Sequence, residues 1–307
     1  MIGVENIIEV SGLRKSFGEL HAVKGIEMKV RKGSLFAFLG PNGAGKSTSI
    51  GILTTQLKPD GGEATINGCE LGKQNDAIRA SIGIVFQESL LDPLLTVEEN
   101  LMVRGSFYKL KGTALKAAVR RAVEAADAVG FLGRPYGKLS GGQRRRADIA
   151  RALIHTPSIL FLDEPTTGLD PQTRQNVWRT VRELQRAEGM TIFLTTHYME
   201  EAADADYVTV MDHGAVIAQG TPYQLKEKYA ADRLKLRPHV AGELERYLRE
   251  RLLPWEEKGG VYLVPLKHTT EAIAIVDGCR DNIAGLEIAN GTMDDVFLQL
   301  TGKEIRG

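Results

Sequence analysis

Short apolar runs alternating with amphipathic ones predict an α/β protein built around a phosphate-binding loop, and two stretches carry that expectation. GPNGAGKST, Gly40 to Thr48, fits G-x-x-x-x-G-K-[ST] and stands between the apolar run SLFAFLG and the amphipathic start KSTSIGILT, which is the strand-to-helix setting such a loop requires. ILFLDE is a continuously apolar run that ends in Asp163 and Glu164. That is how a fully buried parallel strand delivers carboxylates to the edge of its sheet.

Each element has its own reading, in chain order. Residues up to about 86 are expected to carry short strands around the loop. Gly40, Gly43 and Gly45 let the backbone turn its N–H groups toward a polyphosphate, with Pro41, Asn42, Ala44 and Thr48 completing the loop, and the helix that follows adds its positive end. Lys46 is expected on the terminal phosphates, and the Ser47 hydroxyl on Mg²⁺, which keeps waters and takes few protein oxygens. Gln87 ends a further apolar run, SIGIVFQ. By itself it reads as a surface amide or as a sensor of the metal and the attacking water.

From about 87 to 155 the pattern is helical. Thr96 and Glu99 have capping-box spacing ahead of Val97, Leu101 and Tyr108, and TALKAAVRRAVEAADAV repeats apolar residues at helical spacing. In LSGGQ, Ser140 and Gln143 form a second capping box, while Gly141 and Gly142 leave the helix end bare. This is an ordinary helix cap or an anion site. The run Arg144 to Arg146 reads as a solvated helix face or an interface rim.

At the end of ILFLDE, two adjacent carboxylates need a cation. Asp163 suits Mg²⁺ and Glu164 suits a general base. Asp170 before Pro171 is a good N-cap for a helix that ends near Gly189. MTIFL then places His197 at a third strand end, VTVMDHGAVIAQG reads as a hairpin turning at Asp212 to Gly214, and TPYQLKEKY as a capped helix. The last stretch carries no catalytic motif. GGVYLVPL and AIAIV suggest strand and helix fragments of a small α/β appendix.

Over about residues 5 to 225 these motifs resemble the nucleotide-binding subunits of ATP-binding cassette (ABC) transporters. LSGGQ matches the signature motif, ILFLDE the Walker B strand, Gln87 the Q-loop glutamine, His197 the switch histidine, and Gly168, Leu169 and Asp170 the D-loop. Phe17 in LRKSFG matches the aromatic that stacks on adenine; read from the residues alone it is that or a core side chain.

The resemblance implies a P-loop NTPase core of the ABC ATPase type with an antiparallel β subdomain and an inserted helical subdomain over residues 1–230, followed by the α/β appendix over 231–307. It implies ATP and Mg²⁺ as cofactors and a homodimer in which Ser140 to Gln143 of one chain face the ATP held by Lys46 of the other. It also implies an integral membrane permease docking near Gln87 to Tyr108, at the cytoplasmic face of the membrane. LDPLLTVEENL and the ending GTMDDVFLQLTG resemble exporters of the daunorubicin-resistance type; the ending also reads as a generic amphipathic helix packed on the core.

Composition fits this reading. The chain has 307 residues, 43% of them hydrophobic, enough for one substantial core and an appendix. Thirty-nine basic residues balance thirty-nine acidic ones, so no global field favours nucleic acid. Cys69 and Cys279 are far apart and outside metal-ligand spacing, which suits small buried thiols. No apolar stretch approaches the ~18 residues needed to span a bilayer, so an exporter must draw on a separate membrane subunit. The competing expectation is a cassette ATPase acting on ribosomes or DNA. Ribosomal members carry two cassettes and chromosomal ones insert long coiled coils; this chain has one cassette and a short helical insertion.

Overall fold

The computed structural model describes residues 5–302, in two compact units, Met1–Thr221 and Pro222–Gly307. In the first unit, β1 (Asn6–Phe17) and β2 (Leu20–Arg31) form a long antiparallel hairpin; these are twelve-residue strands, where short ones were expected. β3 (Leu35–Leu39) is buried along its whole length and leads through the Gly-rich loop into α1 (Lys46–Leu53). β4 (Gly61–Ile66), β5 (Cys69–Glu70), α2 (Asn75–Ser81) and β6 (Ile82–Val85) follow. The helical subdomain comprises α3 (Val97–Phe107), α4 (Gly112–Ala125) and α5 (Gly141–Leu153). The chain then returns to strands and helices with β7 (Ile159–Asp163), α6 (Pro171–Glu188), β8 (Thr191–Thr196), α7 (Met199–Ala203), β9 (Tyr207–Asp212) and β10 (Ala215–Gly220).

Two sheets result. The antiparallel one has order β2-β1-β4-β5, and the six-stranded one β10-β9-β3-β8-β7-β6. In the second, β9, β3, β8, β7 and β6 run parallel and only β10 is antiparallel. Its central strands are buried on both faces, which is why they read as unbroken apolar runs. The Phe193 ring packs, tilted, with its centroid 5.0 Å from that of Phe36 and 5.1 Å from that of Phe161, joining β3, β8 and β7. The segments after β3, β6, β7 and β8 therefore emerge from the same carboxyl edge of one sheet, where open α/β sheets place their ligands.

Four of the expected helix ends form. Thr96 and Glu99 close a capping box on α3, Ser140 and Gln143 another on α5, Asp170 accepts from Thr173 N at 3.0 Å with Pro171 opening α6, and Gly189 ends α6 in a left-handed conformation. The carboxyl of Asp170 is held below the usual range by its bonds to Thr173.

The second unit opens with α8 (Pro222–Tyr229), which packs on the last helix of the same unit. This is why the unit begins at Pro222 and not at 231, where the sequence placed it. It continues β11 (Asp232–Pro238), α9 (Ala241–Glu250), β12 (Glu256–Lys258), β13 (Val261–Leu266), α10 (Glu271–Cys279), β14 (Ile283–Ala289) and α11 (Met293–Thr301). The strand order β12-β13-β11-β14, all antiparallel, makes this a split βαβ arrangement of ferredoxin-like type. Leu234 and Leu236 pack with Leu244 and Leu248 in its core. AIAIV lies in a helix, α10, and GTMDDVFLQLTG forms the capped helix α11. Cys279 is buried as expected, but Cys69 is only half-buried.

Candidate phosphate-binding and hydrolytic site

Local backbone geometry shapes the loop after β3. Gly45 sits at φ 104°, where a Cβ would lie 2.3 Å from the Ala22 carbonyl oxygen, and a Cβ on Gly40 would lie 2.3 Å from the Met211 carbonyl oxygen. Only glycine fits either position. Gly214 N donates to Ala44 O at 3.0 Å, and Lys24 N to Gly214 O at 2.8 Å. The β9–β10 turn thus pins the loop from the side. No side chain caps α1, and its first turn holds no acidic residue, so its N–H groups and dipole remain available to an anion.

Lys46 is 4% exposed. Its Nζ donates to Gly40 O at 2.8 Å and Pro41 O at 3.1 Å and lies 3.6 Å from Glu164 Oε1. Burial pulls its pKa below the usual lysine value, with Glu164 opposing. Ser47 Oγ donates to Asp163 Oδ1 at 3.3 Å. These two oxygens suit Mg²⁺, which takes one or two protein oxygens and completes its octahedron with phosphate and water.

Glu164 is 8% exposed and has φ 45°, a conformation that costs free energy in a non-glycine residue and marks functional sites. Its backbone is held in place by the Thr195 hydroxyl, at 3.1 Å from Glu164 N, and that hydroxyl also donates to Asp163 Oδ1 at 2.5 Å. The side chain sits between two groups. Oε2 lies 3.3 Å from His197 Nδ1 and accepts from Thr167 Oγ1 at 3.3 Å, while Oε1 faces Lys46.

A cleft of about 680 Å³ opens onto this arrangement. Its wall includes Phe17, Asn42, Gly43, Gly45, Lys46, Ser47, Thr48, Gln87 and Glu164. Phe17 is 48% exposed, which rules out the core reading and leaves an aromatic face at the cleft. Sequence reasoning missed other lining residues: His21, Ala22 and Lys24 of β2 and His213 and Gly214 of the β9–β10 turn border the same space. Ser140, Gly141, Gly142, Gln143 and Asp170 do not line it. A Cβ on Gly142 would come 2.3 Å from Thr173 Cγ2, and one on Gly141 2.9 Å from Leu169 Cδ2, so these glycines also let α5 approach α6.

The Arg144–Arg146 run is not uniformly solvated. Arg145 is 8% exposed and donates to Phe86 O at 2.6 Å and Gln87 O at 3.2 Å. Two turns further on, Arg151 donates to Ile84 O at 2.6 Å, and between them Asp148 accepts from Ser89 Oγ at 2.6 Å and Tyr136 OH at 3.2 Å. Burial raises the pKa of Asp148, and burial together with Asp148 pushes Tyr136 up to about 12. One face of α5 therefore fixes the segment that carries Gln87. Arg145→Ala is expected to lower the unfolding free energy by about 2–4 kcal/mol, since it leaves two part-buried carbonyls without their donor and removes the positive charge near the buried Asp148; urea denaturation followed by circular dichroism measures it.

Comparison with known proteins gives the arrangement its family. Residues 23–167 match the ABC transporter family model. The daunorubicin/doxorubicin resistance ATP-binding protein of Streptomyces peucetius is 41% identical, with 96% of this chain and 92% of that protein aligned. The Nod factor export ATP-binding protein I of Ralstonia nicotianae is 38% identical, over 99% and 97%. Among solved structures, the ATP-binding cassette MJ0796, a dimer in a post-hydrolysis state with ADP and Pi, superposes with a TM-score of 0.63 at 28% identity, covering 70% of this chain and 98% of that one. A glycine-rich loop, a buried lysine and two adjacent carboxylates lie at one sheet edge, and the likeness to these proteins makes the chain an ATPase: it belongs to the ABC transporter family, among its ATP-binding proteins.

Proposed function

We propose that this chain is the motor of an exporter, pairing head-to-tail with a second copy around two ATP molecules and driving a separately encoded membrane permease. The observation that carries the reading is the split of the site: Lys46, Ser47, Gln87 and Glu164 surround one cleft, and the LSGGQ helix end does not reach it. A second copy completes it by bringing its Ser140 to Gln143 helix start, with exposed N–H groups, onto the terminal phosphate. The dimeric state of the MJ0796 relative supports this arrangement.

Within each half, Phe17 stacks on the base, and the loop from Gly40 to Thr48 holds the phosphates through backbone N–H groups. Ser47 and Asp163 would hold Mg²⁺, which would offset the charge of the phosphates, and Gln87 lines the same cleft as Ser47. Bound ATP supplies the phosphoryl group that is transferred to water. Glu164 takes the proton from that water, and His197, 3.3 Å away, holds the γ-phosphate and the attack geometry. Lys46 offsets the charge that develops on the phosphoryl oxygens. Asp170 lies on the loop that crosses to the second copy. Tighter ATP binding by the closed pair than by the open one is what does work on the permease.

The permease docks on residues 87–108. Support comes from Leu90, Leu94, Val103 and Phe107, which are 65%, 86%, 50% and 71% exposed, a concentration of apolar surface that marks an interaction site. No helix among the described residues is long and apolar enough to cross a membrane. In this reading the chain works from the cytoplasmic face of the membrane, attached through the permease. The second unit, Pro222–Gly307, acts as an accessory domain, and nucleic acid is not a partner. Affinity purification of Glu164→Gln from detergent-solubilised membranes with ATP is expected to yield a polytopic membrane protein at one-to-one ratio; ribosomal or DNA-bound partners with no membrane protein contradict the exporter reading.

A further inference from the structure

Glu201 is a buried carboxylate outside the cleft. It is 2% exposed, and among the described residues no ion pair involves it. One oxygen, Oε1, accepts from both the Thr166 hydroxyl and Trp178 Nε1, the latter at 3.0 Å, while Oε2 has no hydrogen-bond partner. Taking a carboxylate out of water on two neutral donors is unfavourable. Packing alone does not explain an acid at this position.

Its partners indicate its role. Thr166 is two residues past Glu164, and its carbonyl accepts Leu169 N at 3.1 Å, shaping the turn into Asp170. Trp178 lies two turns into α6, the helix that Asp170 caps. Glu201 itself lies in α7, four residues after His197, which precedes the helix. One oxygen thus joins the three segments that carry the general base, the phosphate-contacting histidine and the crossing loop. A parallel contact reinforces it: Arg174, one turn before Trp178 on α6, lies 4.1 Å over the Tyr198 ring, which packs at 4.2 Å against His197.

We propose that Glu201 is a positioning residue for ATP hydrolysis, setting Glu164, His197 and Asp170 in register from behind the site. The left-handed backbone of Glu164 needs such support, because a strained residue holds its geometry only when its surroundings over-determine it. The inference rests on the hydrolytic roles proposed above for Glu164 and His197.

The test is steady-state ATPase kinetics of Glu201→Ala, Glu201→Gln and Trp178→Phe in the full chain, with Glu164→Gln assayed alongside. Glu201→Ala is expected to lower kcat by about ten- to a hundredfold, the scale of a displacement near 1 Å at a reacting centre, with KM for ATP changed by less than about threefold. Glu201→Gln keeps the accepting oxygen and is expected to recover kcat to within about threefold of the parent. If Glu201→Ala fails to fold, Trp178→Phe, which removes one donor, is expected to lower kcat severalfold at unchanged KM. A kcat at the parent value in Glu201→Ala or Trp178→Phe, or a glutamine variant as slow as the alanine one, overturns the proposal. The two readings fail separately: turnover retained in Glu164→Gln removes the general base, whereas an inactive Glu164→Gln beside a fully active Glu201→Ala removes only the role of Glu201.

Discussion

Glu164→Gln is expected to lower ATP turnover by about 10²–10⁴-fold, the range that a positioned general base contributes, while ATP still binds. The substitution keeps the size of the side chain, and its amide oxygen can still face Lys46 and Thr167, but it has no basic oxygen for the proton of water. Because Glu164 sits 3.6 Å from Lys46 and 3.3 Å from His197, neutralising it also removes repulsion toward the phosphates. Binding should therefore be retained or tightened as turnover falls. Equal losses of turnover and binding would make Glu164 a structural residue and not the base.

Lys46→Ala is expected to remove ATP binding at concentrations that saturate the parent, and turnover to fall by about 10³-fold or more, as for other cations placed on transferring phosphoryl groups. Two effects act together. The cation that meets the terminal phosphates is lost, and Glu164, 8% exposed, loses its basic neighbour at 3.6 Å, a change that costs about 3–5 kcal/mol for a buried pair broken on one side. Equilibrium binding of a fluorescent ATP analogue, with a thermal melt to confirm folding, reads both effects. High-affinity binding in Lys46→Ala would refute the role of the phosphate loop.

The candidate site was legible in the sequence where it depends on local spacing. A phosphate cradle needs glycines, a lysine and a hydroxyl within nine residues, a capping box needs two residues three apart, and a buried strand delivering two carboxylates needs an unbroken apolar run. Each of these leaves a mark that survives without tertiary information. What escaped depends on partners brought together by topology. Arg145 looked solvated because its acceptors, Phe86 O and Gln87 O, lie on a different element. No local motif marks Thr195, whose hydroxyl links Asp163 to the backbone of Glu164 only because β8 lies beside β7.

The second unit shows the same limit in its fold. β12 is three charged residues, Glu256 to Lys258, with no apolar alternation to announce a strand, and it forms only because β13 offers an edge. The appendix was therefore readable as α/β, while its βαββαβ order was not. Its start was misplaced for a related reason: α8 follows the hairpin directly in sequence, and only its packing on α11 assigns it to the later unit.

Light scattering on the full-length Glu164→Gln protein, with and without Mg²⁺ and ATP, tests the two-chain site most directly when the same measurement is made with Ser140→Arg added. A composite site requires the mass to double from 33.6 kDa on adding ATP, and requires Ser140→Arg to prevent that doubling while each chain still binds ATP through its own Lys46. A mass that stays at one chain with ATP bound, or a doubling that Ser140→Arg leaves untouched, would contradict it.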